Sequence, residues 1–68
     1  MTFNEAIDAF NNDRKVKFST SIGSVTSIDS IDESVYIMWE NNPTWNGWYW
    51  KQKRNSNSIY NLDNIELI

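Results

Sequence analysis

Apolar positions follow two different periods along this chain. From Thr2 to Phe10 they recur at Phe3, Ala6, Ile7 and Phe10, the spacing of one helix face, with Asn4, Glu5 and Asp8 on the wet side. Thr2 followed three residues later by Glu5 is a capping box. Asn11, Asn12 and Asp13 tolerate left-handed backbone and end the helix, which spans about 2–11. From Lys15 the period drops to two. Val16 and Phe18 alternate with Lys15, Lys17 and Ser19, a half-buried strand. Ile22–Ile28 is a second strand, and Gly23 within it marks a bulge or bend. Asp29–Ser34 is a polar turn. Val35–Trp39 is a third strand, with Val35, Ile37 and Trp39 on one face and Tyr36, Met38 and Glu40 on the other.

Asn41-Asn42-Pro43 breaks that strand, and Asn46-Gly47 is a hairpin-turn signal. A fourth strand over Trp48–Lys53 sets Trp48, Trp50 and Gln52 opposite Tyr49, Lys51 and Lys53. One face must meet the core, so either the tryptophan pair or Tyr49 lies inside; the spacing favours the pair. After the Asn55–Ser58 loop, Ile59-Tyr60 resumes apolar pairing. Leu62–Asn64 fits a tight helical turn and Ile65–Ile68 a last strand. One helix and five short strands predict a single domain over 1–68: a mainly β fold with the N-terminal helix packed on a small five-stranded barrel over about 15–68. Closure would remove exposed sheet edges.

Composition narrows the chemistry. The 68 residues contain no cysteine and no histidine, so disulfides, thiolate metal sites, a thiol nucleophile and the commonest general base are excluded. The carboxylates at Asp29, Asp32 and Glu33 sit at a turn tip and lack the glycine and spacing of a calcium loop. A non-enzyme without cofactor or metal is expected. No stretch approaches the roughly 20 apolar residues of a membrane span, and the expected setting is the cytoplasm, away from membranes. The net charge of −3 argues against a general nucleic-acid footprint.

All four tryptophans fall between Trp39 and Trp50. Tryptophan and tyrosine are enriched at binding hot spots. Trp39 shares the core face of its strand, whereas Trp45 sits in a loop and is the leading candidate for an exposed contact. The candidate binding patch is Trp45, Tyr49, Tyr36 and Met38, with Lys51, Lys53 and Arg54 as a polar rim. Stacking aromatics beside basic residues also permit a nucleic-acid or cyclic-nucleotide binder. A structural or oligomerisation unit of a phage particle is a third reading.

Three segments carry a family resemblance. They are Gly23-Ser24-Val25-Thr26-Ser27-Ile28-Asp29, Val35-Tyr36-Ile37-Met38-Trp39-Glu40-Asn41, and Tyr60-Asn61-Leu62-Asp63-Asn64-Ile65-Glu66-Leu67-Ile68. Their pattern resembles Tudor-type and Mind-bomb-type SH3-like repeats over about two thirds of the chain, and implies an SH3-like barrel. An aromatic cage for a methylated cation, as in Tudor relatives, is a further reading that this resemblance implies. Phe3–Phe10 followed by Lys15-Val16 resembles the start of small phage proteins, among them anti-Thoeris proteins that sequester cyclic ADP-ribose-type signals. No tryptophan follows Val16 and no Asp-Trp pair ends the chain, so none of that group's ligand residues carries over. The ten asparagines match the bias of A/T-rich phage genes. Together these features lead to the expectation of a non-catalytic phage protein that occupies a host or defence protein.

Overall fold

A computed structural model describes residues 1–51 and 59–68. Helix α1 spans Phe3–Asn11 and begins in the expected capping box: the Glu5 amide donates to Thr2 Oγ1 (3.1 Å), and the Thr2 amide donates to Glu5 Oε1 (2.8 Å). Asp13, at φ 53°, takes the left-handed conformation just past the helix end. The buried face of α1 is Ala6 and Ala9, with Phe3 packed beside it. Phe10, expected in the apolar stripe, is 44% exposed. Two alanines three residues apart let the helix lie close to the sheet, and that rotation carries Phe10 outward.

Five antiparallel strands follow: β1 (Lys15–Phe18), β2 (Ser21–Asp29), β3 (Ser34–Trp39), β4 (Gly47–Trp50) and β5 (Glu66–Leu67). They form one sheet in the order β4-β3-β2-β1-β5, against which α1 packs at β2 and β5. The expected closed barrel is not formed. β5 is two residues long and pairs only with Val16 and Lys17. Among the described residues, the segment leading into β5 meets the β4 end of the sheet at a parallel bridge, Trp50 to Asn61, beside the Trp50 amide donating to Tyr60 O (2.9 Å). The 3-10 turn Leu62–Asn64 enters β5, and Leu62 and Ile65 are buried in the core. The Met1 amino group ties this end down by donating to Leu62 O (2.7 Å) and to Ile65 O.

The core comprises Ala6, Ala9, Val16, Val25, Val35, Ile37, Trp39, Tyr49, Leu62 and Ile65. Val35, Ile37 and Trp39 point inward, as their alternation predicts. Gly23 is not at a bulge. The register shift in β2 lies one turn of the pleat later, between Val25 and Ser27. Gly23 pairs with Trp39, and a Cβ there would stand 2.7 Å from Trp39 Cε3 and 2.9 Å from the Met38 carbonyl oxygen. The glycine makes room for the indole.

Asn46-Gly47 likewise does not form a hairpin turn. Neither residue has positive φ; a 3-10 turn over Pro43–Trp45 makes the connection, and Asn46 is extended. Its side chain instead extends the sheet, Oδ1 accepting from the Trp39 amide at 2.7 Å.

Candidate aromatic interface

The β3–β4 register decides which aromatics are available. Ser34 pairs with Trp50, Val35 with Tyr49, Tyr36 with Trp48 and Ile37 with Gly47. Because Val35 and Ile37 face inward, Tyr49 faces inward too, and Trp48 and Trp50 face out. This reverses the expected placement of the tryptophan pair. Tyr49 is 1% exposed and belongs to the core, not to a contact patch. Its hydroxyl accepts from Trp39 Nε1 (3.0 Å) and donates to the Trp45 carbonyl (2.7 Å). Each polar group at the centre of the aromatic cluster thereby has a partner, which a tyrosine can provide and a second buried indole, with a donor only, cannot. Burial pushes the Tyr49 phenol above its ordinary value; the hydrogen bond from Trp39 offsets part of this, and the neighbouring Tyr60 adds to it.

Trp45 also departs from expectation. Its loop folds back, so the ring is half-buried, packs against the core and lies 5.1 Å from the Phe18 ring. Of the residues expected to bind, Tyr36 and Met38 are placed on the outer face, with Met38 50% exposed. Trp48 joins them at 37% exposure, its ring edge-on to Tyr36 with centroids 5.6 Å apart. The alternation within β4 did signal that Trp48 and Trp50 share a face. The missing clue was core volume: a domain this small that already encloses Trp39 has little room for two more indoles.

Lys51 is exposed and pairs with Glu33 at 3.0 Å. Lys53 and Arg54 lie outside the described residues. The other described basic side chains are similarly matched: Arg14 with Asp8 (2.9 Å), Lys15 with Glu40 (3.7 Å) and Lys17 with Glu66 (3.4 Å). The outer face therefore has a charged, ion-paired end on β5 and β1, and an aromatic end on β3 and β4. Each described basic side chain therefore has a carboxylate beside it.

A shallow depression of about 260 Å³ adjoins the aromatic end, lined by Asn46, Gly47, Trp48, Trp50 and Tyr60. At the far hairpin, Asp29 Oδ1 accepts from the amides of Ile31 (3.0 Å) and Asp32 (3.2 Å), so this acidic residue serves as a turn former. No helix among the described residues is long and apolar enough to cross a membrane. No protein-family model, curated protein or solved structure matches the chain.

Proposed function

We propose that this chain is a non-catalytic binding protein whose contact surface is the aromatic end of the outer sheet face, Tyr36, Met38 and Trp48. One observation carries the reading: the core is filled and hydrogen-bonded without these three, yet they gather on one wet face. Apolar side chains clustered away from a completed core mark contact sites more often than isolated ones do, and tryptophan and tyrosine bring large, stiff contact area. The resemblance to small phage proteins suggests the partner, a host or defence protein met in the host cytoplasm. Five short antiparallel strands, the last returning beside the first, support treating the fold as an SH3-like unit left open at one side.

Affinity capture from bacterial lysate tests this, using wild type, Trp48→Ala, Met38→Ala and a Lys15→Ala control at the charged end. The expected result is a partner lost with the first two variants and kept by the third. A partner set unchanged across all four proteins would refute the outer-face assignment.

A further inference from the structure

Asn46-Gly47 reads as a turn in the sequence, yet the fold does not use it as one. Gly47 has no positive φ, and a Cβ there would lie in ordinary contact, 3.7 Å from the Tyr60 ring. Neither conformation nor space asks for glycine at this position. Asn46, by contrast, is tied into the sheet. The Lys51 amide donates to Glu33 O (2.9 Å), which makes Glu33–Lys51 a hydrogen-bonded pair. Antiparallel pairs alternate, so Ile37–Gly47 is a bonded pair as well. One step further the Trp39 amide would meet the Trp45 carbonyl, but that carbonyl accepts from the Tyr49 hydroxyl (2.7 Å). Asn46 Oδ1 accepts from the Trp39 amide in its place (2.7 Å), and the Asn46 amide donates to Pro43 O (3.2 Å).

The same two residues carry a chemistry of their own. The nitrogen that follows an asparagine can close a five-membered ring on its carboxamide carbon, and a glycine has no Cβ to obstruct the approach. Of the ten asparagines in the chain, Asn46 alone precedes a glycine. In the closure the Gly47 nitrogen bonds to Asn46 Cγ, the Cγ–Nδ2 bond breaks, and the Gly47 amide proton leaves with Nδ2 as ammonia. Water then opens the cyclic imide. Cleavage at Cγ gives aspartate; cleavage at the main-chain carbonyl gives isoaspartate, in which the chain runs through Cγ. Nothing is oxidised or reduced. Closure requires the Gly47 nitrogen to swing into eclipse with the Cα–Cβ bond of Asn46. A ψ of 132° at Asn46 holds it well away, and the Trp39 bond and the Ile37–Gly47 pair keep it there. The reaction is therefore blocked until the start of β4 opens.

We propose that Asn46 is a self-modification site, converted through a cyclic imide to aspartate and isoaspartate when Asn46-Gly47 opens from β3, and that the isoaspartate form releases β4. In isoaspartate the carbonyl that serves the Trp39 amide becomes the main-chain carbonyl joined to Gly47, and a free carboxylate takes the place of the old one. The Trp39 bond and the Ile37–Gly47 pair then compete for one short stretch of chain and are not both kept. Tyr49, two residues on, loses the register that turns it inward, and Trp48 loses the register that turns it outward. The site is independent of what Trp48 contacts, since it needs only these two residues and the strand that restrains them.

Incubating the whole protein in mildly alkaline buffer, with and without concentrated urea, tests this. Tandem mass spectrometry locates the modified residue, and electron-based fragmentation separates isoaspartate from aspartate. In native buffer Asn46 should convert measurably but at least about tenfold more slowly than in urea, because only the open form reacts. In urea it should outpace every other asparagine, and Gly47→Ala, which the structure accommodates, should slow it by about tenfold or more. Amide hydrogen exchange by NMR on the aged protein should show the Tyr49 amide losing protection in proportion to the isoaspartate formed. Asn46→Asp keeps an acceptor for the Trp39 amide and should protect Tyr49 as wild type does. Equal rates with and without urea, no conversion at all in native buffer, or conversion spread evenly over the asparagines overturns the proposal. A Tyr49 amide that stays protected in the isoaspartate form, or one equally exposed in Asn46→Asp, overturns the release of β4.

Discussion

Replacing Tyr49 with phenylalanine removes one oxygen and leaves the ring. The oxygen lies between two groups in the interior: it accepts from Trp39 Nε1 at 3.0 Å and donates to Trp45 O at 2.7 Å. Trp39 is 4% exposed, so its indole N–H has no water to turn to once the hydroxyl is gone. An unsatisfied buried donor costs about 1–3 kcal/mol, and the partly buried Trp45 carbonyl adds to this. Tyr49→Phe should therefore destabilise the fold by about 2–3 kcal/mol, a large part of the roughly 3–5 kcal/mol expected of so small a core. The midpoint of thermal unfolding should fall by about 8–24 °C, at about 4–8 °C per kcal/mol for a domain of this size. Urea unfolding followed by tryptophan fluorescence measures the loss, with Tyr36→Phe on the outer face as the matched control expected to change stability by less than about 0.5 kcal/mol. The sign of the pH dependence follows from the same burial. The folded-state Tyr49 phenol titrates above its ordinary value. Its contribution is complete below the unfolded tyrosine value of about 10 and is lost as pH rises from there through the folded value. Tyr49→Phe should remove that alkaline loss. Equal, small effects of the two substitutions would mean that Tyr49 does not face the core, and the assignment of the outer face would fall with it.

Gly23→Ala should cost about 1–3 kcal/mol by overpacking, since the new methyl meets the Met38 backbone oxygen and the Trp39 ring at under 3 Å; chemical denaturation reads this directly, and an unchanged midpoint would refute the close approach. Thr2→Ala should remove the helix cap at a cost of about 1 kcal/mol, visible as a lower urea midpoint. The Glu5 carboxyl is held below its usual range, chiefly by the Thr2 backbone hydrogen bond. Its support for α1 should be present above the ordinary glutamate value and be lost as pH falls through the folded one, a change followed by circular dichroism on acidification and absent in Glu5→Gln. Trp48→Ala should leave stability within about 1 kcal/mol of wild type, whereas Trp39→Ala should cost about 3–5 kcal/mol and threaten folding outright.

Local patterns were readable wherever neighbouring residues enforce them. The Thr2–Glu5 capping box, the alternation of Val35, Ile37 and Trp39, the break at Asn41-Asn42-Pro43 and the turn at Leu62–Asn64 all depend on residues a few positions apart. The outer-face aromatic cluster was legible in two of its three members: Tyr36 and Met38 follow from β3 alternation with its apolar face turned in, whereas Trp48 requires knowing which face of β4 turns in. Alternation gives two sets of residues but not their sides, because a strand rotated by half a turn has the same period.

Only tertiary contacts resolved that ambiguity. Pairing Val35 with Tyr49 sends the phenol inward, where the Trp39 indole and the Trp45 carbonyl both need a hydroxyl, and it sends Trp48 and Trp50 outward. Trp45 lost its expected exposure because its loop folds onto Phe18, a contact 27 residues away in sequence. Gly23 is explained by Trp39 across the sheet, and the sheet stays open where, among the described residues, a two-residue β5 pairs with β1 alone. By itself the amino-acid sequence determined the order and kind of the elements, since propensity and periodicity act over a few residues. Which aromatics are spent on the core and which remain on the surface was decided by strand register and by the hydrogen-bonding needs of buried groups, which arise only once distant strands meet.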